Sequence, residues 1–266
     1  MIDYKLSIFL PTIRTHLLEN WYKTLEKSCS YPVEVVVAGP FDIPQSLSER
    51  LNVKFIKTFS HPTKAAHLAA LACTGDFIYH TTDDVIFLPG AVDAAIKLRE
   101  SLGVDIINMR YIESAGHRVN HEYPLSYWLV KGSTPLHYVS PDHLTAAHIM
   151  LSREIFLDVG GFDCGFEYLT YACADLDLRI QQLEGTFAHS ETNVTTADWS
   201  GESHKNDHLP IQNAQEGPDL ALYFKLWNVT GNQRARIDIN NHKAYPEYWS
   251  RRFNGKTPQS YTELVS

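Results

Sequence analysis

Apolar and polar positions switch between two periods along the first hundred or so residues, and each switch predicts an element. Leu6-Ser7-Ile8-Phe9-Leu10 is a nearly continuous apolar run stopped by Pro11, the pattern of a buried strand. Leu17, Trp21 and Leu25 then recur every four residues, which predicts a helix with one buried face. Residues 33–38 predict a second strand ended by Gly39-Pro40, and residues 53–56 a third. Ala65, Leu68, Ala69 and Ala72 form a second helical stripe that ends by Gly75. Residues 77–81 read as a strand running straight into Thr82-Asp83-Asp84. Ala91, Ala94, Ala95, Leu98 and Leu102 mark a third helix, and residues 104–109 a further strand.

Strands alternating with helices through short connections predict an α/β fold, a mostly parallel sheet flanked on both faces by helices. Ligands bind such a sheet outside the carboxyl ends of its strands. Pro11-Thr12, Gly39-Pro40 and Asp83-Asp84 all fall at those ends, so three loops are expected around one crevice. From 111 to 148 the pattern gives way to an aromatic and histidine-rich stretch with Tyr123, Tyr127, Trp128 and Tyr138. It reads equally as a surface that closes over a ligand and as an irregular connection. After Gly185 the chain is polar to about Pro218, and a region from Trp227 to Trp249 is expected to pack back on the sheet.

The length of 266 residues, 44% of them hydrophobic, is enough for a full core. The longest apolar runs fall short of the roughly 18 to 20 residues that cross a bilayer. Met1-Ile2-Asp3-Tyr4-Lys5 does not open a secretory signal, so a soluble cytoplasmic protein without an integral membrane segment is expected. Cys29, Cys73, Cys164 and Cys173 form no C-x-x-C pair and are expected as free thiols. In that compartment the glycosylation patterns at Asn193 and Asn228 carry no weight. A formal charge of −8 argues against a general grip on nucleic acid. Five tryptophans and fourteen tyrosines are compatible with an aromatic-lined pocket for sugars or bases.

Asp83 and Asp84 bring the first candidate chemistry. Adjacent carboxylates repel unless a cation or strong donors compensate them, and hard oxygen ligands suit Mg²⁺ or Mn²⁺ holding a diphosphate. A solvated turn or a helix cap is the plainer alternative. Asp175 and Asp177 would point about 200° apart on a helix, so only one can face a crevice. Asp175 and Arg179, at i and i+4, also fit a surface ion pair. Glu202, His204 and His208 are spaced for a metal site if that segment is helical, but not in the H-E-x-x-H order of a zinc hydrolase.

Gly75-Asp76-Phe77-Ile78-Tyr79-His80-Thr81-Thr82-Asp83-Asp84 resembles the G-(D/E)-(Y/F)-I-x-x-x-(D/T)-D-D run of inverting family 2 glycosyltransferases with a GT-A fold. Leu6 to Thr12 is similar to their first strand. Val159-Gly160-Gly161-Phe162-Asp163 and Ala174-Asp175-Leu176-Asp177-Leu178 resemble their later GGFD and (E)D-x-D-L segments. The resemblance covers about residues 5 to 185. It implies a GT-A domain over 1–190, with a nucleotide-sugar half of about 1–110 and an acceptor half of about 111–190. Residues 191–266 would form a C-terminal extension packed on the same domain.

The resemblance further implies a metal-dependent inverting transfer of sugar from a nucleoside diphosphate sugar, UDP-linked, to a hydroxyl. Asp84 would hold Mn²⁺ or Mg²⁺, with His204 as a further ligand. Asp83, Pro11, Thr12 and Arg14 would bind the donor, and Asp175 would be the general base. Lys64 either meets a donor phosphate as a point charge or stands in solvent. The chain departs from the pattern at Ala38-Gly39-Pro40, where the family often carries an acidic residue that reads the base, and at Ala174, where glutamate is usual. Acceptors open on this reading are a glycan, a protein side chain or a modified nucleobase. A non-catalytic nucleotide-sugar or glycan-binding module and a nucleotidyltransferase on a related fold are the alternatives.

Overall fold

The computed structural model describes residues 4–114, 121–122, 129–131, 134–136, 148–183, 186–198, 215–227, 234–245, 247–253, 255, 259–260 and 263. In chain order, β1 (Leu6–Pro11), α1 (Leu18–Ser28), β2 (Val33–Gly39), α2 (Gln45–Ser48), β3 (Val53–Lys57) and α3 (Pro62–Leu71) come first. Next are β4 (Phe77–His80), β5 (Val85–Phe87), α4 (Ala91–Leu102) and β6 (Ile106–Ser114). Short strands β7 (His121–Glu122), β8 (Leu129–Lys131) and β9 (Thr134–Leu136) precede β10 (Ile149–Ser152) and α5 (Arg153–Asp158). The chain continues through α6 (Leu169–Gln181), β11 (Phe187–Asp198), α7 (Leu220–Trp227) and α8 (Tyr248–Arg252).

The main sheet runs β3-β2-β1-β4-β10-β6-β11-β5, with β7 beside β6. β3, β2, β1 and β4 are mutually parallel, and β10 lies antiparallel between β4 and β6. β1 is apolar at nearly every position because both of its faces are covered. Leu6, Ile8 and Leu10 enter a core with Trp21 and Leu25 of α1, whereas Phe9 enters the opposite core with Ala66, Phe156 and Phe162. The alanines of α3 let that helix lie close against β1 and β2. Its start is set by Pro62 in the first turn and by His61, whose ring accepts from Lys64 N at 3.4 Å. Glu34 interrupts the apolar run of β2 and is buried. It accepts from Ser7, from Thr74 N at 2.7 Å and from Thr74 Oγ1 at 3.0 Å, and pairs with Lys54.

Gly160 and Gly161 end α5. Gly160 N reaches Leu157 O at 3.1 Å and Gly161 N reaches Phe156 O at 2.9 Å, with φ of 85° and 67° at the two glycines. This Schellman closure needs the left-handed conformation that glycine adopts without strain. A Cβ at Gly160 would stand 2.1 Å from Ile237 O, so the pair also admits the C-terminal chain.

Three expectations change. The polar stretch after Gly185 contains β11, which pairs with β6 and β5. Its Thr, Ser, His and Asn residues hid it, since ladder pairing rather than apolar alternation holds the strand. The boundary expected at residue 190 therefore falls inside a strand of the main sheet. The supposed surface pair Asp175–Arg179 is fully buried, because α6 is covered around most of its circumference by α3, by α7 and by the 159–161 turn. The four cysteines are free thiols. No helix among the described residues is long and apolar enough to cross a membrane.

Candidate active site

The end of β1 is tied to the end of β2. Thr12 N donates to Ala38 O at 2.9 Å, and a Cβ at Gly39 would fall 2.0 Å from Thr12 O. Only glycine permits that approach, and Ala38 beside it is fully buried, so the acidic residue missing here has no room in this packing. The chain then turns. Arg14 N donates to Thr12 Oγ1 at 2.9 Å, and the Thr12 hydroxyl donates to Asp83.

Asp83 and Asp84 follow β4, held from behind by Trp21, whose indole N–H donates to Thr82 O at 3.0 Å. Arg14 Nε reaches Asp83 Oδ2 at 3.2 Å, and its Nη2 contacts both Asp83 Oδ1 and, at 3.2 Å, Asp84 Oδ2. Thr82 Oγ1 donates to Asp84 Oδ1 at 2.6 Å. The side chains of Arg14, Asp83 and Asp84 are only 12%, 5% and 8% exposed. The guanidinium of Arg14 and the hydroxyls of Thr12 and Thr82 thus offset the repulsion between the adjacent carboxylates. Thr12, Arg14, Asp83 and Asp84 are thus joined by hydrogen bonds and ion pairs, with Pro11 preceding Thr12 at the end of β1.

Lys64 is half-buried in the first turn of α3, and its charge bears on the Cys164 thiol, which burial nonetheless pushes up to about 12. His148, absent from the sequence reading, is buried against the Tyr111 ring at 4.7 Å. Burial pushes its pKa down to about 4 against the pull of the Asp84 carboxylate, so it stands neutral beside the acidic pair. Its place directly before β10, at the end of a histidine-rich run, was the only available signal.

Asp175 sits in a buried network that ties α6 to the 159–163 turn. It accepts from Arg179 Nε at 2.8 Å, from Trp227 Nε1 at 3.0 Å and from Arg234. Arg179 also donates to Val159 O at 2.6 Å and Gly161 O at 2.5 Å, and Arg234 bridges onward to Asp163. Arg234 was not singled out because nothing in its local sequence marks it as a partner for a residue 59 positions earlier. Asp177 is buried. His204 and His208 lie outside the described residues.

Beyond this network, Tyr248, Trp249 and Phe253 pack on Phe41 and Tyr168, with Ile13 alongside, and the Trp249 indole donates to Phe59 O at 2.6 Å. Arg251 pairs with Glu167. This part of the C-terminal chain therefore packs on the loops that leave β1 and β2. Among the described residues no group of three or more His, Cys, Asp or Glu side chains is placed to hold a metal ion. The hard carboxylate oxygens of Asp83 and Asp84 still fit Mg²⁺ or Mn²⁺, which need only one or two protein carboxylates when water and phosphate complete the shell.

A parallel sheet half, an antiparallel strand at its centre and an acidic pair at the β4 end define the GT-A fold. Solved structures of S. aureus TarS share it. The structure of TarS residues 1–349 is 15% identical with a TM-score of 0.56, over 86% of this chain and 68% of that one. The same TarS piece has been solved with UDP and with UDP-GlcNAc; the UDP-GlcNAc complex is 14% identical with a TM-score of 0.56, over 94% of this chain and 73% of that one. A longer TarS chain matches with a TM-score of 0.57, and 44% of it is covered. No protein-family model matches the sequence, and no curated protein does.

Proposed function

We propose that this protein is a metal-dependent, inverting glycosyltransferase that moves a sugar from a nucleoside diphosphate sugar, UDP-linked, to a hydroxyl on a glycan, a protein side chain or a modified nucleobase. The observation that carries the reading is the convergence of Thr12, Arg14, Asp83 and Asp84 at the carboxyl ends of β1 and β4, where an open α/β sheet binds its ligand. The UDP and UDP-GlcNAc complexes of TarS, which shares the fold, support the donor class.

Thr12 and Asp83 orient the donor, and Arg14 and Lys64 offer charge to its diphosphate. Asp84 would hold Mn²⁺ or Mg²⁺, with His204 as a further ligand, and the ion would neutralise the departing diphosphate. Inversion requires the acceptor oxygen to attack the anomeric carbon as the bond to phosphate breaks and its electron pair leaves with the nucleoside diphosphate. A carboxylate takes the acceptor proton. Asp175 serves as that base only if Arg234, its more exposed partner, withdraws from it.

The complete burial of Asp175 among two arginines and Trp227 favours one second reading, a module that binds nucleotide sugars without turning them over. A screen of nucleotide sugars for Mn²⁺-dependent hydrolysis separates the two. Release of free sugar that chelator abolishes is the expected result. Thermal stabilisation by a nucleotide sugar without hydrolysis or transfer selects the binding module, and neither effect with any donor sinks both.

A further inference from the structure

We propose that residues 234–245 form an autoinhibitory strap whose Arg234 latches the candidate base, masking Asp175 until an acceptor hydroxyl takes its place and so guarding the donor against water. The proposal rests on the assignment of Asp175 as the base above. The two carboxylate oxygens of Asp175 are held differently. Oδ2 accepts from Arg179 Nε at 2.8 Å, whereas Oδ1 is shared between Trp227 Nε1, at 3.0 Å, and Arg234. Arg179 is fully buried and has two further anchors in Val159 O and Gly161 O, so it is fixed in place. Arg234, at 17% exposed, is the partner of Asp175 most open to solvent, and its fork spans Asp175 and Asp163. Its departure leaves the carboxylate paired with Arg179 and oriented by Trp227, with room on Oδ1 to accept a hydroxyl proton.

The segment that carries Arg234 is lightly held. Residues 234–245 contain no helix or strand, and none of them is buried. Polar contacts tie them down: Ile237 N donates to Val159 O at 3.1 Å and His67 Nε2 to Ile239 O at 2.9 Å. Asn241 accepts from Cys164 N at 2.6 Å and donates to Phe162 O at 3.3 Å. Water replaces bonds of this kind at small net cost, and a segment with little buried apolar surface opens more readily than the core. Beyond it, α8 is anchored by the buried Tyr248 and Trp249, so the strap lifts from its Arg234 end. An acceptor meets Oδ1 only in the lifted state, and its binding draws the population there. When the strap lifts without an acceptor, a water oxygen attacks the anomeric carbon instead. The bond to the diphosphate then breaks with its electron pair leaving on the nucleotide, and Asp175 takes the water proton.

The test is hydrolysis of UDP-GlcNAc by the full chain in Mn²⁺ without acceptor, alongside hydrogen exchange of the 234–245 peptide. Arg234→Ala should hydrolyse the donor about tenfold or more faster than the native protein, a part of what a positioned base is worth. Arg234→Lys, which keeps the charge without the fork, should fall between them, and Arg234→Ala combined with Asp175→Asn should lose the gain. Asn241→Ala loosens the strap without touching the base, so it should raise both hydrolysis and exchange over 234–245 even if Arg234→Ala fails to fold. In the native protein that peptide should exchange faster than α6. Hydrolysis by these single variants no faster than native, zero included, with UDP still bound, overturns the latch and leaves the donor reading intact. Exchange over 234–245 as slow as in α6 overturns it as well. A gain that persists in the double variant ends the assignment of Asp175 as the base, and the proposal with it. Absence of UDP binding under every condition removes the donor reading and the proposal together.

Discussion

Trp21 and Thr82 are joined by a 3.0 Å hydrogen bond from the indole N–H to the backbone carbonyl, which makes α1 the support for the loop carrying Asp83 and Asp84. The ring also packs edge-on against Phe87, at 5.2 Å between centroids. Trp21→Phe keeps much of that packing and removes the donor. It should cost about 1 to 2 kcal/mol of stability from the lost bond and the smaller ring. Nucleotide-sugar affinity should fall as well, because the acidic loop loses its tether. Denaturant melts and donor titration check both effects; unchanged affinity in a destabilised protein would confine Trp21 to the core.

Asp175 and Arg234 separate a structural hub from a general base. Asp175→Asn leaves the fully buried Arg179 short of its counter-charge, and breaking a pair of this kind costs about 3 to 5 kcal/mol. Arg234 is 17% exposed, so Arg234→Gln should cost less. If Asp175 is the base, Asp175→Asn lowers transfer by about 10² to 10⁴ fold even where it remains folded. Stability and single-turnover rate, measured below the melting temperature of each variant, distinguish the roles. A folded Asp175→Asn with native transfer would end the base assignment.

Gly39 should be intolerant of a side chain for a reason local to the site. The Cβ of Gly39→Ala would meet the Thr12 carbonyl at 2.0 Å, and backbone cannot yield as a side-chain tip does. The Thr12–Arg14 turn must shift, and donor binding should weaken well before the sheet melts. Titration of Gly39→Ala with UDP in Mn²⁺ reads this directly, and native affinity would show that the turn adapts.

Asp219 predicts a stability profile in pH. Its carboxylate accepts from Glu167 N and Tyr168 N, both at 2.9 Å, ahead of α6, yet burial pushes its pKa up from 3.8 to about 6. The folded protein therefore holds this proton more tightly than the unfolded chain. The stabilising contribution is complete below about pH 3.8 and is lost as pH rises through about 6. Denaturant melts across pH 4 to 7 should show that this downward slope is reduced in Asp219→Asn relative to the native protein. Parallel profiles would mean that Asp219 titrates as it does in the unfolded chain.

Local sequence determined most of the parallel half of the fold, because its strands and long helices carry their own signals, whereas the short α2 gave none. The buried strand at Leu6–Pro11 is apolar on both faces, the helix at Leu18–Ser28 shows Trp21 and Leu25 on one face, and Gly39-Pro40 stops β2. The same locality put Pro11-Thr12 and Asp83-Asp84 at neighbouring strand ends, since ends of parallel strands meet by geometry, whereas Arg14 entered only through the family resemblance. Tertiary structure decided what depends on distant partners. β11 exists through its ladder with β6 and β5 rather than through any apolar period. Arg14 becomes the counter-ion of Asp83 only across 69 positions of chain, and Arg234 reaches Asp175 across 59. A carboxylate's role follows from which charge the fold brings to it and how much water it excludes, and neither quantity is written in the residues on either side of it.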